Sequence, residues 1–318
     1  MRVQTPSEDE TPSDDETLDE LLRGRVRLLQ ARKGYRTSVD AMALAWFAAD
    51  SMKLTTPASC IDLGAGSGLV AMLLGLHFPD LHLLLCERQP DLAARAGRNL
   101  LLNGLSSRAE VRCMDLAGPG PDVPPVDLVV CNPPYFRDPG RQPPRHPERF
   151  AAHWETTAPL ERFAEVAAAL LAPTGTASFV YPADGEARLV AALGSAGLGQ
   201  VEVARLLHRE GDPEAVRVLV NARRGPHAAP FRLADRALHE ADTLEHTYTA
   251  AIESFLLSLG SFDGRKRDGN AFSANLRHPY LDATLQERRD AERPTAERGP
   301  DNHPAAREGT PEPDGRPA

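Results

Sequence analysis

Short apolar runs alternate with longer periodic segments between residues 39 and 196. Runs of five or six apolar residues bounded by Gly, Pro, Asp or Asn are typical of buried strands, and segments whose apolar residues recur every three or four positions are typical of helices. The predicted strands are 58–63, 81–86, 109–114, 126–131 and 176–181. The predicted helices are 39–49, 69–77, 92–102, 160–171 and 186–196.

Two more strands and a last helix follow this alternation. A Gly-Asp-Pro turn joins residues 200–208 to residues 215–222, so these two strands should be antiparallel neighbours. Residues 247–259 are predicted to form a final amphipathic helix. Alternating strands and helices indicate a parallel sheet with right-handed crossovers, helices on both faces and the first strand near the centre. The predicted fold class is therefore α/β: a Rossmann-like, mostly parallel seven-stranded sheet with an antiparallel last strand pair.

The formal net charge of −9 belongs mainly to the ends of the chain. Residues 1–23 hold eight acids against two arginines and lack an apolar period, which predicts an acidic disordered arm. Residues 260–318 are charged, rich in Arg, Pro and Glu, and aperiodic, which predicts a disordered tail. The folded domain is therefore expected at 24–259. Because no leader-like start and no apolar run of about 18 residues occurs, we expect a soluble, cytoplasmic protein.

Four cysteines are spread along the predicted strands. They form no C-x-x-C pair, and each lies in an apolar run, where a reduced thiol packs as a small hydrophobic group. We therefore predict neither a disulfide framework nor a metal site for Cys60, Cys86, Cys113 and Cys131.

A glycine-rich loop, Gly64-Ala65-Gly66-Ser67-Gly68, follows the first strand directly and leads into a helix. Such a loop lets the backbone approach a ligand and adopt unusual dihedral angles. Alone, the glycine spacing is consistent with a dinucleotide loop or merely a tight turn. Acids at nearby strand ends make the prediction sharper. The predicted cofactor site consists of Asp62, Gly64, Ala65, Gly66, Gly68, Glu87, Asp115 and Asn132.

The acids indicate what this loop binds. Glu87 closes the second strand about 20 residues beyond the glycines, where an acid accepts hydrogen bonds from the two ribose hydroxyls of a nucleoside. Asp115 ends the third strand and can accept a hydrogen bond from an adenine amino group. The loop differs from the G-x-G-x-x-G pyrophosphate pattern, and no Lys or Arg lies nearby to neutralise a diphosphate. A nucleoside with a short charged tail, such as S-adenosylmethionine, therefore fits better than NAD.

The fourth strand ends in Asn132-Pro133-Pro134-Tyr135, which we call the clamp. Each proline fixes φ and lacks an N–H, so the chain leaves the sheet along one stiff path. The Asn132 amide oxygen and the Pro133 carbonyl can each accept a hydrogen bond from one –NH₂ group, and the Tyr135 ring can stack on a flat substrate. These four residues are the predicted catalytic residues, acting on a planar amine or amide.

Together the two sites predict a methyl transfer to nitrogen. The amine nitrogen of adenine, or an amide nitrogen, is a poor nucleophile because its lone pair is delocalised. Two fixed acceptors drain positive charge as that nitrogen becomes tetrahedral, which is transition-state stabilisation by fixed dipoles. Alignment with the methyl donor supplies proximity, and no strong base is required.

On these residues the chain resembles the class I S-adenosylmethionine-dependent methyltransferases of the N-P-P-Y type. It is most similar to the bacterial tRNA adenine-N6 methyltransferases that act on a valine tRNA. The resemblance implies a tRNA substrate, and we expect a monomer that binds RNA but no membrane or metal. An arginine-rich loop after the clamp, 136–158, is a candidate for phosphate contacts. The matching stretches are 34–40, 61–68, Glu87, Asp115, 132–136 and Tyr248-Thr249.

Two alternatives share the clamp chemistry. Protein N5-glutamine methyltransferases that act on release factors also carry Asn-Pro-Pro-Tyr, with a helical domain of ~70 or more residues before the glycine loop. Here about 40 residues separate the acidic arm from that loop, which argues against them. An rRNA base is the second alternative, because Ala152-His153-Trp154-Glu155 stands where the tRNA enzymes carry an Ala-Arg pair.

Overall fold

A mixed β-sheet with helices on both faces forms the framework of the protein. The computed structural model describes residues 11–22, 24–34, 36–52, 58–135, 158–241 and 247–259. The strands are β1 Glu16–Leu21, β2 Val26–Ala31, β3 Ser59–Leu63, β4 His82–Glu87, β5 Ala109–Cys113, β6 Val126–Cys131, β7 Leu171–Pro182, β8 Gln200–Arg209, β9 Arg217–Arg223, β10 Phe231–Arg232 and β11 Arg236–His239.

The helices follow the predicted segments closely. Pro90 occupies the first turn of its helix, where its fixed φ is favourable, so that helix begins two residues earlier than predicted. Within the described residues, no helix is long and apolar enough to cross a membrane. The helices are α1 Val39–Ser51, α2 Leu69–His77, α3 Pro90–Leu102, α4 Leu160–Leu170, α5 Glu186–Ser195 and α6 Ala250–Ser258.

The main sheet has the strand order β10-β8-β9-β7-β6-β3-β4-β5. Strands β3 to β7 are parallel to one another, whereas β9 is antiparallel to both β7 and β8. All seven predicted strands are therefore present, with the first of them, β3, between β4 and β6. The sheet has nine strands because the short β10 and β11 both pair with β8. Segments of two and four residues carry too little periodicity to be predicted.

Side chains alternate between two hydrophobic cores, one on each face of the sheet. In β4, for example, Leu83 and Leu85 pack on one face and Leu84 and Cys86 on the other. Helices α1, α2, α3 and α6 cover the first face, and α4 and α5 cover the second. Three cysteines are buried, but Cys113 is exposed at the end of β5, the edge strand. The prediction that it packs as a hydrophobic group was therefore wrong.

The N-terminal segment contains a β-hairpin, which differs from the disordered arm predicted for 1–23. Strand β1 pairs antiparallel with β2, and Leu21 is buried. Glu16 lies in a buried ion cluster, where it accepts hydrogen bonds from Arg95 at 2.9 Å and Arg98 at 2.7 Å. Its partners lie about 80 residues away on α3, so local composition could not reveal them. Residues 1–10 and the predicted tail, 260–318, lie outside the described residues.

Asn99 of α3 and Asn103, which directly follows α3, bind the backbone of β2 as a neighbouring strand would. Asn99 accepts from the Leu29 N–H at 2.7 Å and donates to the Leu29 carbonyl at 3.1 Å. Asn103 makes the same pair of bonds to Arg27, at 3.0 and 2.7 Å. Asn99 is fully buried and also donates to the Ser67 carbonyl in the glycine loop at 3.0 Å. The hairpin is therefore connected to the loop through a single side chain.

The Glu16 cluster should make part of the stability depend on acid pH. Burial alone would raise the pKa of Glu16, but hydrogen bonds from Arg95 and Arg98 outweigh it and lower that pKa to about 2. The stabilisation is therefore complete above about pH 4.5 and is lost as pH falls through about 2. In urea unfolding near pH 7, Glu16→Gln should cost roughly 2 kcal/mol, and the cost should shrink steadily toward pH 2.5.

Glu20→Gln is the matched control, since Glu20 is an exposed acid of the same strand. It should change the free energy of unfolding by less than about 0.5 kcal/mol. A Glu16→Gln cost that stays constant between pH 7 and 2.5 would contradict the assignment.

Candidate active site

The predicted site residues meet at the carboxyl edge of the parallel strands. Leu63 of β3 is the register partner of both Cys86 of β4 and Cys131 of β6. Since these three residues lie in one row, the residues that follow them, Gly64, Glu87 and Asn132, leave the sheet side by side. This is where ligands bind in open parallel sheets.

Left-handed backbone at three positions shapes the glycine loop. Gly64, Gly66 and Gly68 have φ values of +75°, +56° and +88°, which residues other than glycine rarely adopt. A Cβ at Gly68 would lie 3.0 Å from the Leu85 side chain, so packing against β4 also requires glycine there. The N–H groups of Gly64 and Ala65 donate to the Cys86 carbonyl at 2.8 and 3.0 Å. The loop is therefore fixed to β4 before any ligand binds.

Asp62 lies inside β3, beneath the loop. Its side chain is 2% exposed, and it accepts a hydrogen bond from the Ala71 N–H in α2 at 3.3 Å. Burial raises the pKa of Asp62 to about 7, and the charge of Glu87 adds to the rise, while the hydrogen bond from Ala71 opposes it. A cationic group placed at this carboxyl would favour its ionised form.

Glu87 stabilises the loop with both of its oxygens. One accepts from the Gly66 N–H at 2.9 Å, and the other accepts from the Gln89 N–H at 2.8 Å. Burial raises the pKa of Glu87, and these hydrogen bonds partly offset the rise. A carboxylate has further lone pairs, so ligand hydroxyls can still bind to it, as the sequence predicts.

Asp115 lies close to Glu87 but is more exposed to solvent. The preceding residue, Met114, donates its N–H to the Glu87 carbonyl at 2.9 Å, which places Asp115 just beyond the end of β5. Asp115 is exposed, and its carboxylate accepts from the Ala117 N–H at 2.9 Å. This position is consistent with contact between Asp115 and a ligand bound at Glu87. The predicted contact of Asp115 with an adenine amino group stays a prediction.

The clamp is held by a hydrogen bond within itself. The Tyr135 hydroxyl donates to the Asn132 amide oxygen at 2.6 Å. Pro133 is buried, whereas Asn132, Pro134 and Tyr135 are partly exposed. Because an amide oxygen has two lone pairs, the Asn132 oxygen can accept from Tyr135 and from a substrate amine together.

Three residues behind the clamp were not predicted as site residues. The Tyr135 hydroxyl lies 3.2 Å from the Asp40 carboxylate in α1, and Asp40 forms an ion pair with Arg217 of β9 at 3.2 Å. The Arg217 guanidinium lies 5.2 Å from the centre of the Tyr135 ring, and the Tyr181 ring meets Tyr135 edge-on at 5.7 Å. The one sequence signal was Asp40, an acid that directly precedes the apolar run of α1 from Ala41 to Ala49.

These residues fit S-adenosylmethionine. Its cationic sulfonium and ammonium groups suit the buried Asp62 carboxyl, and its ribose hydroxyls suit the Glu87 carboxyl. The hydroxyl of Ser67 in the glycine loop is buried, and within the described residues it has no hydrogen-bond partner. Since buried polar groups normally have one, this hydroxyl is available to a polar ligand. The predicted phosphate-contact loop, 136–158, lies outside the described residues except for its last residue.

Cofactor binding should release a proton below pH 7. Because Asp62 is largely protonated there in the free protein and a cation favours the carboxylate, affinity for S-adenosylmethionine should rise with pH toward 7 and then level off. Calorimetry near pH 6 in two buffers of different ionisation enthalpy should detect up to about one proton released. Asp62→Asn should flatten this pH dependence. An equal slope in both proteins would exclude Asp62 as its source.

Comparisons with known proteins agree with this site. Residues 47–188 match the family model of the methyltransferase small domain. A tRNA1(Val) (adenine(37)-N6)-methyltransferase from Porphyromonas gingivalis is 32% identical over 153 residues, which cover 47% of this chain and 59% of the relative. The enzyme of the same name from Shewanella frigidimarina is 29% identical over 187 residues, which cover 56% of this chain and 71% of the relative. The match thus spans less than two thirds of the first relative.

A solved structure extends the likeness to the fold. The crystal structure of a predicted O-methyltransferase, protein Atu636 from Agrobacterium tumefaciens, superposes with a TM-score of 0.55 at 25% identity and covers 70% of this chain and 97% of that chain. These matches confirm the predicted α/β fold class and the predicted cofactor, S-adenosylmethionine. Residues 47–188 therefore correspond to a methyltransferase small domain, in the α/β fold of the class I S-adenosylmethionine-dependent methyltransferases.

Proposed function

We propose that the protein transfers a methyl group from S-adenosylmethionine to the N6 amine of an adenine in RNA, with tRNA as the substrate. The observation that carries the proposal is the position of the clamp. Asn132 follows β6 in the same row in which Gly64 follows β3, so the amine acceptor and the cofactor loop are immediate neighbours. Relatives named as tRNA adenine-N6 methyltransferases, at 29% and 32% identity, support the substrate.

One group of residues binds the cofactor, and another binds the substrate amine. The glycine loop, Asp62, Glu87 and Asp115 would hold S-adenosylmethionine, which when bound supplies an electrophilic methyl group on sulfur. The Asn132 amide oxygen and the Pro133 carbonyl accept the two amine hydrogens and stabilise the positive charge that develops on nitrogen. One of these protons then passes from the nitrogen to solvent water, and no buried base is needed for that step.

Tyr135 suits a base that has left its stack. Enzymes that modify a nucleobase extrude it and hold it by stacking and hydrogen bonds. The Tyr135 ring is partly exposed next to Asn132, and the Arg217 guanidinium and Tyr181 ring keep it in place. The same side chain therefore offers both a stacking surface and an orientation for the acceptor.

A glutamine side chain also presents an –NH₂ on a planar group, so a release factor is the competing substrate. The segment directly before the glycine loop supports RNA instead. Among the described residues from 11 to 63, it holds the β1–β2 hairpin, helix α1 and strand β3, whereas the release-factor enzymes bind protein with a helical domain. An rRNA adenine would use the clamp in the same way as a tRNA adenine.

Nucleoside analysis of RNA from cells with and without the gene tests the proposal. We expect N6-methyladenosine to fall in the tRNA fraction of the deletion strain. Wild-type protein should restore it, and Asn132→Ala should not. A loss confined to rRNA would contradict tRNA as the substrate, and unchanged N6-methyladenosine in both fractions would contradict the RNA assignment.

A further inference from the structure

A buried ion pair lies directly behind the clamp. Asp40 is 3% exposed and Arg217 is 7% exposed. Both the Nε and an Nη atom of Arg217 lie 3.2 Å from the same Asp40 oxygen. A buried charge pair is costly to form and is weak evidence for stability, so a role in orienting neighbouring groups needs to be considered.

The topology brings this pair to the reacting edge of the sheet. Strand β9 runs antiparallel, and its first residue, Arg217, pairs with Pro182 at the carboxyl end of β7. Asp40 lies in the first turn of α1, which packs on one face of the sheet. Two elements distant in sequence therefore meet at the end of β6, where the clamp begins.

The Tyr135 hydroxyl connects the pair to Asn132. The hydroxyl has one proton but two nearby acceptors, the Asn132 oxygen at 2.6 Å and the Asp40 oxygen at 3.2 Å. Arg217 lies against the Asp40 oxygen and is also hydrogen-bonded to Tyr135. A guanidinium can only donate, so the Tyr135 hydroxyl accepts from Arg217 and keeps its own proton for Asn132. Although burial would lower the pKa of Arg217, the charge of Asp40 and contacts with Tyr135 raise it, so Arg217 stays charged.

We propose that Asp40 and Arg217 are positioning residues for methyl transfer, which hold the Tyr135 hydroxyl against Asn132 and so fix the amide oxygen that accepts from the substrate amine. This inference rests on the proposed function for its consequence in catalysis. Neither residue touches the amine, and each acts through Tyr135. The alternative is that the pair only joins α1 to β9.

A double-mutant cycle separates the two roles. Asp40→Asn and Tyr135→Phe should each lower kcat for tRNA methylation by roughly 10- to 100-fold, because the acceptor is misplaced, while the cofactor Kd changes by less than about twofold. The double variant should lose no more than the worse single variant, since both remove the same hydrogen-bond chain. Losses that multiply, or an Asp40→Asn variant with wild-type kcat, would overturn the proposal.

Asp50→Asn is the matched control. Asp50 lies at the other end of the same helix, where it forms a partly exposed ion pair with Arg236 of β11 at 2.8 Å. If joining helix to sheet were all that mattered, Asp40→Asn and Asp50→Asn would affect kcat alike. Should Asp40→Asn fail to fold, Arg217→Lys replaces it, because lysine keeps the charge but loses the two-point contact.

A second readout needs no substrate. With asparagine-labelled protein, the side-chain amide signals of Asn132, assigned by their loss in Asn132→Ala, should move in Asp40→Asn, Arg217→Lys and Tyr135→Phe. They should stay in place in Asp50→Asn. If wild-type protein methylates no tRNA, the proposed function fails while this spectrum still decides the inference: Asn132 signals unmoved in Asp40→Asn and Arg217→Lys would overturn it.

Discussion

Replacing Asn132 with alanine should lower kcat for tRNA methylation by roughly 10²–10³-fold, with little change in cofactor affinity. The amide oxygen accepts a hydrogen whose positive charge grows only as the methyl group is transferred. Its loss therefore affects the transition state more than the ground state, so kcat falls and KM for tRNA changes by less than about threefold. Steady-state transfer of labelled methyl groups to bulk tRNA measures both constants.

Asn132→Asp is the control for this variant. Aspartate keeps an acceptor oxygen near the same place, within reach of the Tyr135 hydroxyl that now lies 2.6 Å from Asn132. It should retain more activity than alanine by about tenfold or more, although it adds a charge. If Asn132→Ala were to retain kcat within about threefold of wild type, the amide would have no role in methyl transfer.

Replacing Glu87 with alanine should weaken S-adenosylmethionine binding by roughly 3 kcal/mol, on the order of 100-fold in Kd. Two effects contribute. The ligand loses an acceptor for its ribose hydroxyls, and the Gly66 and Gln89 N–H groups lose the carboxylate that fixes the loop. Isothermal titration calorimetry with S-adenosylmethionine measures the change directly.

Two variants calibrate this result. Glu87→Gln keeps one acceptor for the Gly66 N–H and should lose about half as much binding free energy. Glu110→Ala removes an exposed acid of β5 whose side chain contacts Arg112, and it should leave Kd within about twofold. An affinity for Glu87→Ala within about threefold of wild type would exclude Glu87 from the cofactor site.

The sheet and the strand-end site were predictable because their signals are local. Strands β3, β4 and β6 are apolar runs, and at or directly after the end of each stands a residue whose chemistry is unusual at that place: Gly64, Glu87 and Asn132. Since parallel strands expose their carboxyl ends along one edge, placing the runs in one sheet also places these residues together.

What the sequence did not show depends on partners distant along the chain. From the sequence, Glu16 resembles the other solvated acids around it. In the structure it is buried and accepts hydrogen bonds from two arginines of α3, which connect the hairpin to that helix. Arg217 is the first residue of β9, and the sequence of that strand does not indicate its contact with Asp40, which lies 177 residues earlier. Cys113 follows the charged Glu110 and Arg112 on the edge strand, and strand order cannot be read from the strand's own sequence.

Methyl transfer to defined substrates is the most direct test of the proposed function. Purified protein is incubated with labelled S-adenosylmethionine and either deproteinised tRNA or a purified release factor, with Asn132→Ala in parallel. We predict label in the tRNA, recovered on digestion as N6-methyladenosine and absent with Asn132→Ala. Label in the release factor and none in the tRNA would contradict the RNA assignment and identify a glutamine amide as the group that the clamp holds.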